Sequence, residues 1–218
     1  RTIGLELADQ LTEVGAWPLD GPSDLYVQVG GGAFATAVMD GIDLAADDPA
    51  TTWEPPRLHP VQPQRAHPYV GAWERILPRL LRQVADPANV DRPADLGRAL
   101  QAAARQGEFD QFVADADDVM LPWPTTPTSV ATGILDDVTY DWRPLMLHQL
   151  RSGGWPLLPS EADLSAATSL AAGQVTPPPD ATGAAGLAGA LIDDEAIDSK
   201  LAVIILSGVD RAWEYQQR

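Results

Sequence analysis

From Asp24 to Val38 the chain passes from strand-like alternation to a helical stretch. Leu25, Val27 and Val29 alternate with Tyr26 and Gln28, and β-branched and aromatic residues dominate, which predicts a strand stopping at Gly30-Gly31-Gly32. The small residues after the glycines predict a helix ending near Gly41. Ahead of the strand, Arg1 to Leu11 carries an amphipathic helical pattern, and Thr12 to Ser23 reads as a Gly- and Pro-containing loop with Trp17. Asp43 to Pro56 is acidic and proline-containing, a surface connection. Arg57 to Pro63 predicts the next strand, awkwardly placed by two prolines that cannot donate to a ladder.

In the second half, Trp73, Ile76, Leu80 and Leu81 fall at core-facing spacing in a helix from Tyr69 to Val84, and Ala94 to Gln106 and Phe109 to Ala116 predict two more. Met120 to Thr128 reads as a Pro- and Thr-rich loop, followed by the small, flexible stretch Ser129 to Ile134. Pro144 to Arg151 predicts a helix stopped by Gly153-Gly154, and Trp155 to Leu158 a short strand. Ser160 is the expected N-cap of a helix continuing through Leu164 to Ala172, with Glu161 and Asp163 in its first turn. Ala181 to Leu191 is so rich in small residues that it predicts a helix packed tightly on other backbone. Leu201 to Leu206 is an unbroken apolar run, the pattern of a strand buried on both faces of a parallel sheet, and it ends at Ser207-Gly208. The alternation of strands and helices predicts an α/β fold: an open, mostly parallel sheet with helices on both faces, in three layers (αβα).

Charge and composition narrow the chemistry. The 218 residues carry a formal charge of −17, which argues against nucleic-acid or anionic-membrane partners, because phosphate backbones are bound by lysines and arginines. There is no apolar run of the roughly 18 residues a membrane span needs. The chain has no cysteine, which excludes disulfides, zinc–thiolate sites and thiol nucleophiles and fits a cytoplasmic protein. Lys200 is the sole lysine. The helical pattern is already under way at Arg1, so the chain looks as though it begins in mid-domain.

The glycine triplet carries the clearest chemistry. Its backbone can approach a ligand closely, and the helix behind it offers unpaired N–H groups and the positive end of its dipole, an anion cradle suited to phosphate. A tight strand-to-helix turn is the plain alternative. No Lys-Ser/Thr follows as in a P-loop, and the spaced glycines of a dinucleotide site are absent. Elsewhere, Asp136, Asp137 and Asp141 imitate an acidic magnesium site but read better as capping and solvated charge, as do Asp115, Asp117 and Asp118 as a solvated face. His59, His67 and His148 show no ligand spacing, and His59 or His67 could at most reach a substrate. Trp73, Trp142, Trp155 and Trp213 read as core or interface aromatics. Ser165, Thr168 and Ser169 share a polar helix face without a partnered base.

Four stretches in this order, Thr2-Ile3-Gly4-Leu5-Glu6, Val27-Gln28-Val29-Gly30-Gly31-Gly32, Ala181-Thr182-Gly183-Ala184-Ala185-Gly186-Leu187 and Ile205-Leu206-Ser207-Gly208, resemble the second half of the fold-type II pyridoxal-phosphate enzymes. This is the tryptophan-synthase β family, with threonine synthase, threonine dehydratase and diaminopropionate ammonia-lyase. The resemblance implies that residues 1–218 are the C-terminal portion of a catalytic domain binding pyridoxal 5'-phosphate, with a mainly helical excursion at about 69–120. It implies that Gly30, Gly31, Gly32 and Ala33 wrap the cofactor phosphate, Ala33 standing where the family often has a fourth glycine. Ser207 would meet the pyridine nitrogen, and Thr132 and Gly133 would reach a small amino-acid substrate such as threonine, serine or diaminopropionate. The implied activity is β- or γ-elimination or replacement, in a homodimer when full-length. The family's Schiff-base lysine precedes the glycine loop, and here no lysine does, so the expectation is an incomplete chain, inactive alone. Lys200, in an acidic run, is not assigned that role. A non-catalytic α/β module binding a phosphorylated metabolite is the alternative.

Overall fold

The computed structural model describes residues 1–15, 23–47, 55–84, 92–194 and 201–216. In chain order the elements are α1 (Thr2–Glu13), β1 (Ser23–Gln28), α2 (Ala33–Ala46), β2 (Arg57–Val61), α3 (Pro68–Leu81), α4 (Pro93–Arg105), α5 (Asp110–Ala114), a 3-10 turn (Thr132–Ile134), α6 (Trp142–Ser152), α7 (Glu161–Ala172), α8 (Ala185–Ile192), β3 (Leu201–Ile204) and α9 (Arg211–Gln216). The described strands form one parallel sheet in the order β2-β1-β3, so the strand that ends at the glycines is central.

All six residues of β1 are buried, and its two faces differ. Leu25 and Val27, with Val29 just beyond, join the main core, which draws on Val38, Met39 and Ile42 of α2 and on Trp142, Leu145, Met146 and Leu150 of α6. Asp24, Tyr26 and Gln28 occupy the opposite face, beneath α8. That helix lies close enough for a carbon added at Gly186 to stand 2.8 Å from the Tyr26 carbonyl oxygen, the tight backbone packing that its small residues predict. Helices therefore cover both faces, as the pattern requires.

The polar row on β1 is matched from β2. Both strands run through a buried ion pair: Arg57 Nε donates to Asp24 Oδ1 at 2.5 Å and Nη2 to Oδ2 at 2.9 Å. His59 Nε2 reaches Asp24 Oδ1 at 3.0 Å, its ring stacks on Tyr26 at 4.8 Å, and the Tyr26 hydroxyl donates to Asp193 at 2.9 Å. Burial raises the Asp24 carboxyl, but the hydrogen bonds and positive charges of His59 and Arg57 outweigh it and hold that carboxyl below its ordinary range.

Pro60 fits β2 because its polar groups face away from β1: the Leu157 N–H donates to the Pro60 carbonyl at 2.9 Å, whereas Val61 accepts from Val29 N at 2.9 Å. Leu157 makes the one strand-like bridge of the expected Trp155–Leu158 strand. Ser160 and Asp163 form the reciprocal cap of α7, and Gly153 closes α6 in the left-handed region with φ 79°.

Two expectations change. α2 runs on to Ala46, so Asp43 is helical; Gly41 is internal, and a carbon there would come within 2.1 Å of the Arg1 carbonyl where α1 crosses. β3 is parallel but ends at Ile204, and as an edge it buries only Val203 well, with Ala202 exposed. Trp213 is half-buried, whereas Trp73, Trp142 and Trp155 are buried. Trp17 and Lys200 lie outside the described residues.

Two tests follow from these contacts. Gly41→Ala is expected to lower stability by about 1–3 kcal/mol in denaturant titrations, because backbone must move to admit the carbon. Asp24→Asn leaves Arg57, whose side chain is 13% exposed, without its counter-charge and is expected to cost about 3 kcal/mol at neutral pH. Because the folded carboxyl titrates below its unfolded value of about 3.9, the native contribution is complete above that pH and lost as pH falls through the folded value. The gap between native and Asp24→Asn proteins should accordingly close in acid.

Candidate functional site

β1 delivers the chain to the glycine turn at its carboxyl end, where α2 begins. Gly32 is the N-cap of α2 with φ 94°, a conformation that a side chain would strain. No side chain caps this helix, so its first amides lack intrahelical partners. The loop's carbonyls are tied down instead: Thr139 Oγ1 donates to the Gly30 carbonyl at 2.9 Å, and Asp141 N to that of Gly31 at 2.9 Å. With carbonyls held from behind, the amides of residues 31–35, which have no partner among the described residues, are the polar groups that the turn has to offer a ligand.

Those residues line a cavity of about 260 Å³. The structure gathers Gly30, Gly31, Gly32, Ala33, Gly133 and Ser207 around it. Thr132 is not brought in; it is exposed at the start of the 3-10 turn. Ser207 follows β3, and its backbone is seated by Gly183: a carbon there would lie 1.5 Å from the Ser207 carbonyl oxygen. The turn ahead of α8 also holds the 3-10 turn, through a hydrogen bond from Gly133 N to Thr182 Oγ1 at 2.9 Å. Four segments thus converge where β1 and β3 end, the position at which open parallel sheets bind ligands. Two clefts of about 450 Å³ lie elsewhere, one between α2 and α6 and one beside Trp73 and Trp155, without such a convergence.

Gln28 and Thr182 also line the cavity, as does Asp136, which the sequence pattern weighs as part of an acidic magnesium site and reads as capping or solvated charge. Gln28 has a visible signal, an amide on a strand that is otherwise apolar or ion-paired. For Asp136 the acidic run points to a cation rather than to a place beside the glycine turn. Its carboxylate lies against the turn, 2.4 Å from where a carbon on Gly30 would be. An acid there opposes an anion through space and offsets part of the cradle's attraction. Asp141, expected to cap, occupies the N-cap position of α6 without a side-chain hydrogen bond.

The other candidates are occupied elsewhere. His59 is fully buried in the Asp24 network, and His67 packs on Trp123 with ring centroids 4.4 Å apart. His148 sits between Asp40 and Asp43, 3.1 Å from each. The Ser165, Thr168 and Ser169 hydroxyls donate to carbonyls one turn back on α7. Asp117 and Asp118, expected as a solvated face, pair with Arg143 and Arg79. Among the described residues no cluster of metal-ligating side chains occurs, and no helix is long and apolar enough to cross a membrane.

The sequence matches no protein-family model and no curated protein. Solved structures do match. A threonine deaminase from T.th. aligns with 95% of this chain and 56% of its own at 20% identity and a TM-score of 0.57. The processed form of threonine deaminase isoform 2 from Solanum lycopersicum aligns over 99% and 46% at 15% identity and a TM-score of 0.55. Maize serine racemase aligns over 99% and 50% at 18% identity and a TM-score of 0.51. The chain spans about half the length of these proteins. It has their fold, the fold-type II architecture that its four motif stretches lead one to expect.

Proposed function

We propose that residues 1–218 are the cofactor-binding portion of a pyridoxal-phosphate-dependent lyase or synthase acting on a small hydroxy- or amino-substituted amino acid. One observation carries the reading: residues 31–35, whose amides have no partner among the described residues, and Ser207 line one cavity at the carboxyl ends of two parallel strands. The residues fit the group at both ends. Backbone donors of residues 31–35 would hold its phosphate, and Ser207 would hydrogen-bond its ring nitrogen. When bound, pyridoxal phosphate supplies an electron-withdrawing ring that acidifies the substrate α-proton. A hydroxyl at Ser207 does not keep that nitrogen protonated as a carboxylate would, so the ring is a milder sink, suited to elimination and replacement. Gly133 lies on the cavity wall where substrate would enter. Assignment of the whole chain to one cofactor-binding domain, with α3 to α5 as its helical excursion, belongs to the same proposal.

No described residue offers an amine to hold the cofactor covalently, and Lys200 is the sole lysine in the chain. The proposal gives Lys200 no such role and takes the lysine from a further polypeptide segment, in keeping with a chain that spans about half of threonine deaminase. The same observation favours a second reading, a module that binds a phosphorylated metabolite reversibly and needs no lysine.

Binding measurements separate the two. Pyridoxal 5'-phosphate is expected to bind more tightly than inorganic phosphate, and Ser207→Ala to weaken the former about 3- to 10-fold, one hydrogen bond, while leaving the latter unchanged. Equal sensitivity of both ligands, or of neither, would favour the module. Asp136→Asn should tighten both about tenfold, most at low ionic strength. Residues 1–218 alone should release no ammonia from serine or threonine; turnover would refute the incomplete site.

A further inference from the structure

We propose that Gln28 is a positioning residue that makes Ser207 a hydrogen-bond donor toward the cavity, and so selects ligands that present an unprotonated aromatic nitrogen there. The inference rests on the reading of the cavity as a pyridoxal-phosphate site and adds a residue to it.

Three polar side chains, Asp24, Tyr26 and Gln28, point to the α8 face of β1. Asp24 is satisfied by Arg57 and His59, and Tyr26 by Asp193. Gln28 is 4% exposed, lines the cavity, and donates from Nε2 to Ser207 Oγ. Its Oε1 is buried and has no partner among the described residues. A buried amide with an orphaned acceptor costs stability, so packing does not account for it; methionine or leucine would fill the same space without that loss. What the amide does accomplish is local. A hydroxyl carries one proton and accepts through its lone pairs. With a lone pair of Ser207 engaged by Gln28 Nε2, and with no described acceptor taking the Ser207 proton, that proton is left for a group inside the cavity. An unprotonated ring nitrogen is such a group; a protonated one, or a C–H, is not.

A glutamate at position 28 reverses the arrangement. A carboxylate only accepts, so the Ser207 O–H donates its hydrogen bond to it and turns the hydroxyl's lone pairs toward the cavity. The probes are pyridoxal 5'-phosphate and its 1-deaza analogue, in which C–H replaces the ring nitrogen at nearly constant shape and phosphate charge. The native chain is expected to prefer the former about 3- to 10-fold, the effect of one neutral hydrogen bond. Gln28→Glu is expected to bring the ratio to about one or below while inorganic phosphate affinity is retained. Should that variant fail to fold, NMR of the native chain provides the test: the Gln28 side-chain amide protons should shift on adding pyridoxal 5'-phosphate and stay in place with the deaza analogue. Equal binding of both probes to the native chain, or an unchanged ratio in Gln28→Glu, or equal amide shifts, would overturn the role of Gln28 and leave the cofactor reading standing. Failure of both probes to bind would overturn the two together.

Discussion

β1 lies between β2 and β3 and under helices on both faces, so the polar atoms on it are cut off from water and depend on partners inside the protein. One face avoids this demand with hydrocarbon side chains, from Leu25, Val27 and Val29. The other meets it with charge and aromatic stacking, through Asp24, Arg57, His59 and Tyr26. The ion pair joins the central strand to β2 near their amino ends, and the amide of Gln28 joins it to the chain beyond β3 at the carboxyl end. Both are buried polar contacts whose geometry tolerates little displacement, and together they fix the strand ends from which the cavity is built.

Close backbone approach is the second theme. α1 crosses α2 at Gly41, α8 settles on β1 at Gly186, and the Ser207 segment rests on Gly183. In each case a single methyl group would meet a carbonyl oxygen. The small-residue stretches therefore act as spacers that bring loops from distant parts of the sequence within hydrogen-bonding range. The cavity needs this, because its donors come from residues around 30, 133, 182 and 207. No lysine or arginine is among the residues that line it, in keeping with a chain so acidic overall, and the donors on its glycine side are peptide N–H groups at the start of α2.

Local pattern was enough for much of this. The alternation at Leu25 to Val29, the glycine triplet, the Ser160 and Asp163 cap and the Gly153 stop each act over a few residues, so each could be read directly. Edge and centre could not. Leu201 to Leu206 is as apolar as an interior strand, yet β3 is an edge among the described strands, because burial on its second side depends on a neighbour and not on its own residues. The length of α2 is hidden for a similar reason: Gly41 has the look of a helix stop, but what it serves is the α1 backbone lying against it.

The sequence by itself determined the class of fold, the parallel course of its strands and the glycine turn between the central strand and its helix, since these follow from short-range periodicity and from backbone freedom. Only the tertiary structure decided that Ser207 shares a cavity with that turn, that Thr132 does not, that Gln28 holds the Ser207 hydroxyl, and that Asp136 stands beside the cradle. Those are contacts across gaps of about a hundred residues or more, and their geometry is set by how helices and loops pack, which no local pattern of residues encodes.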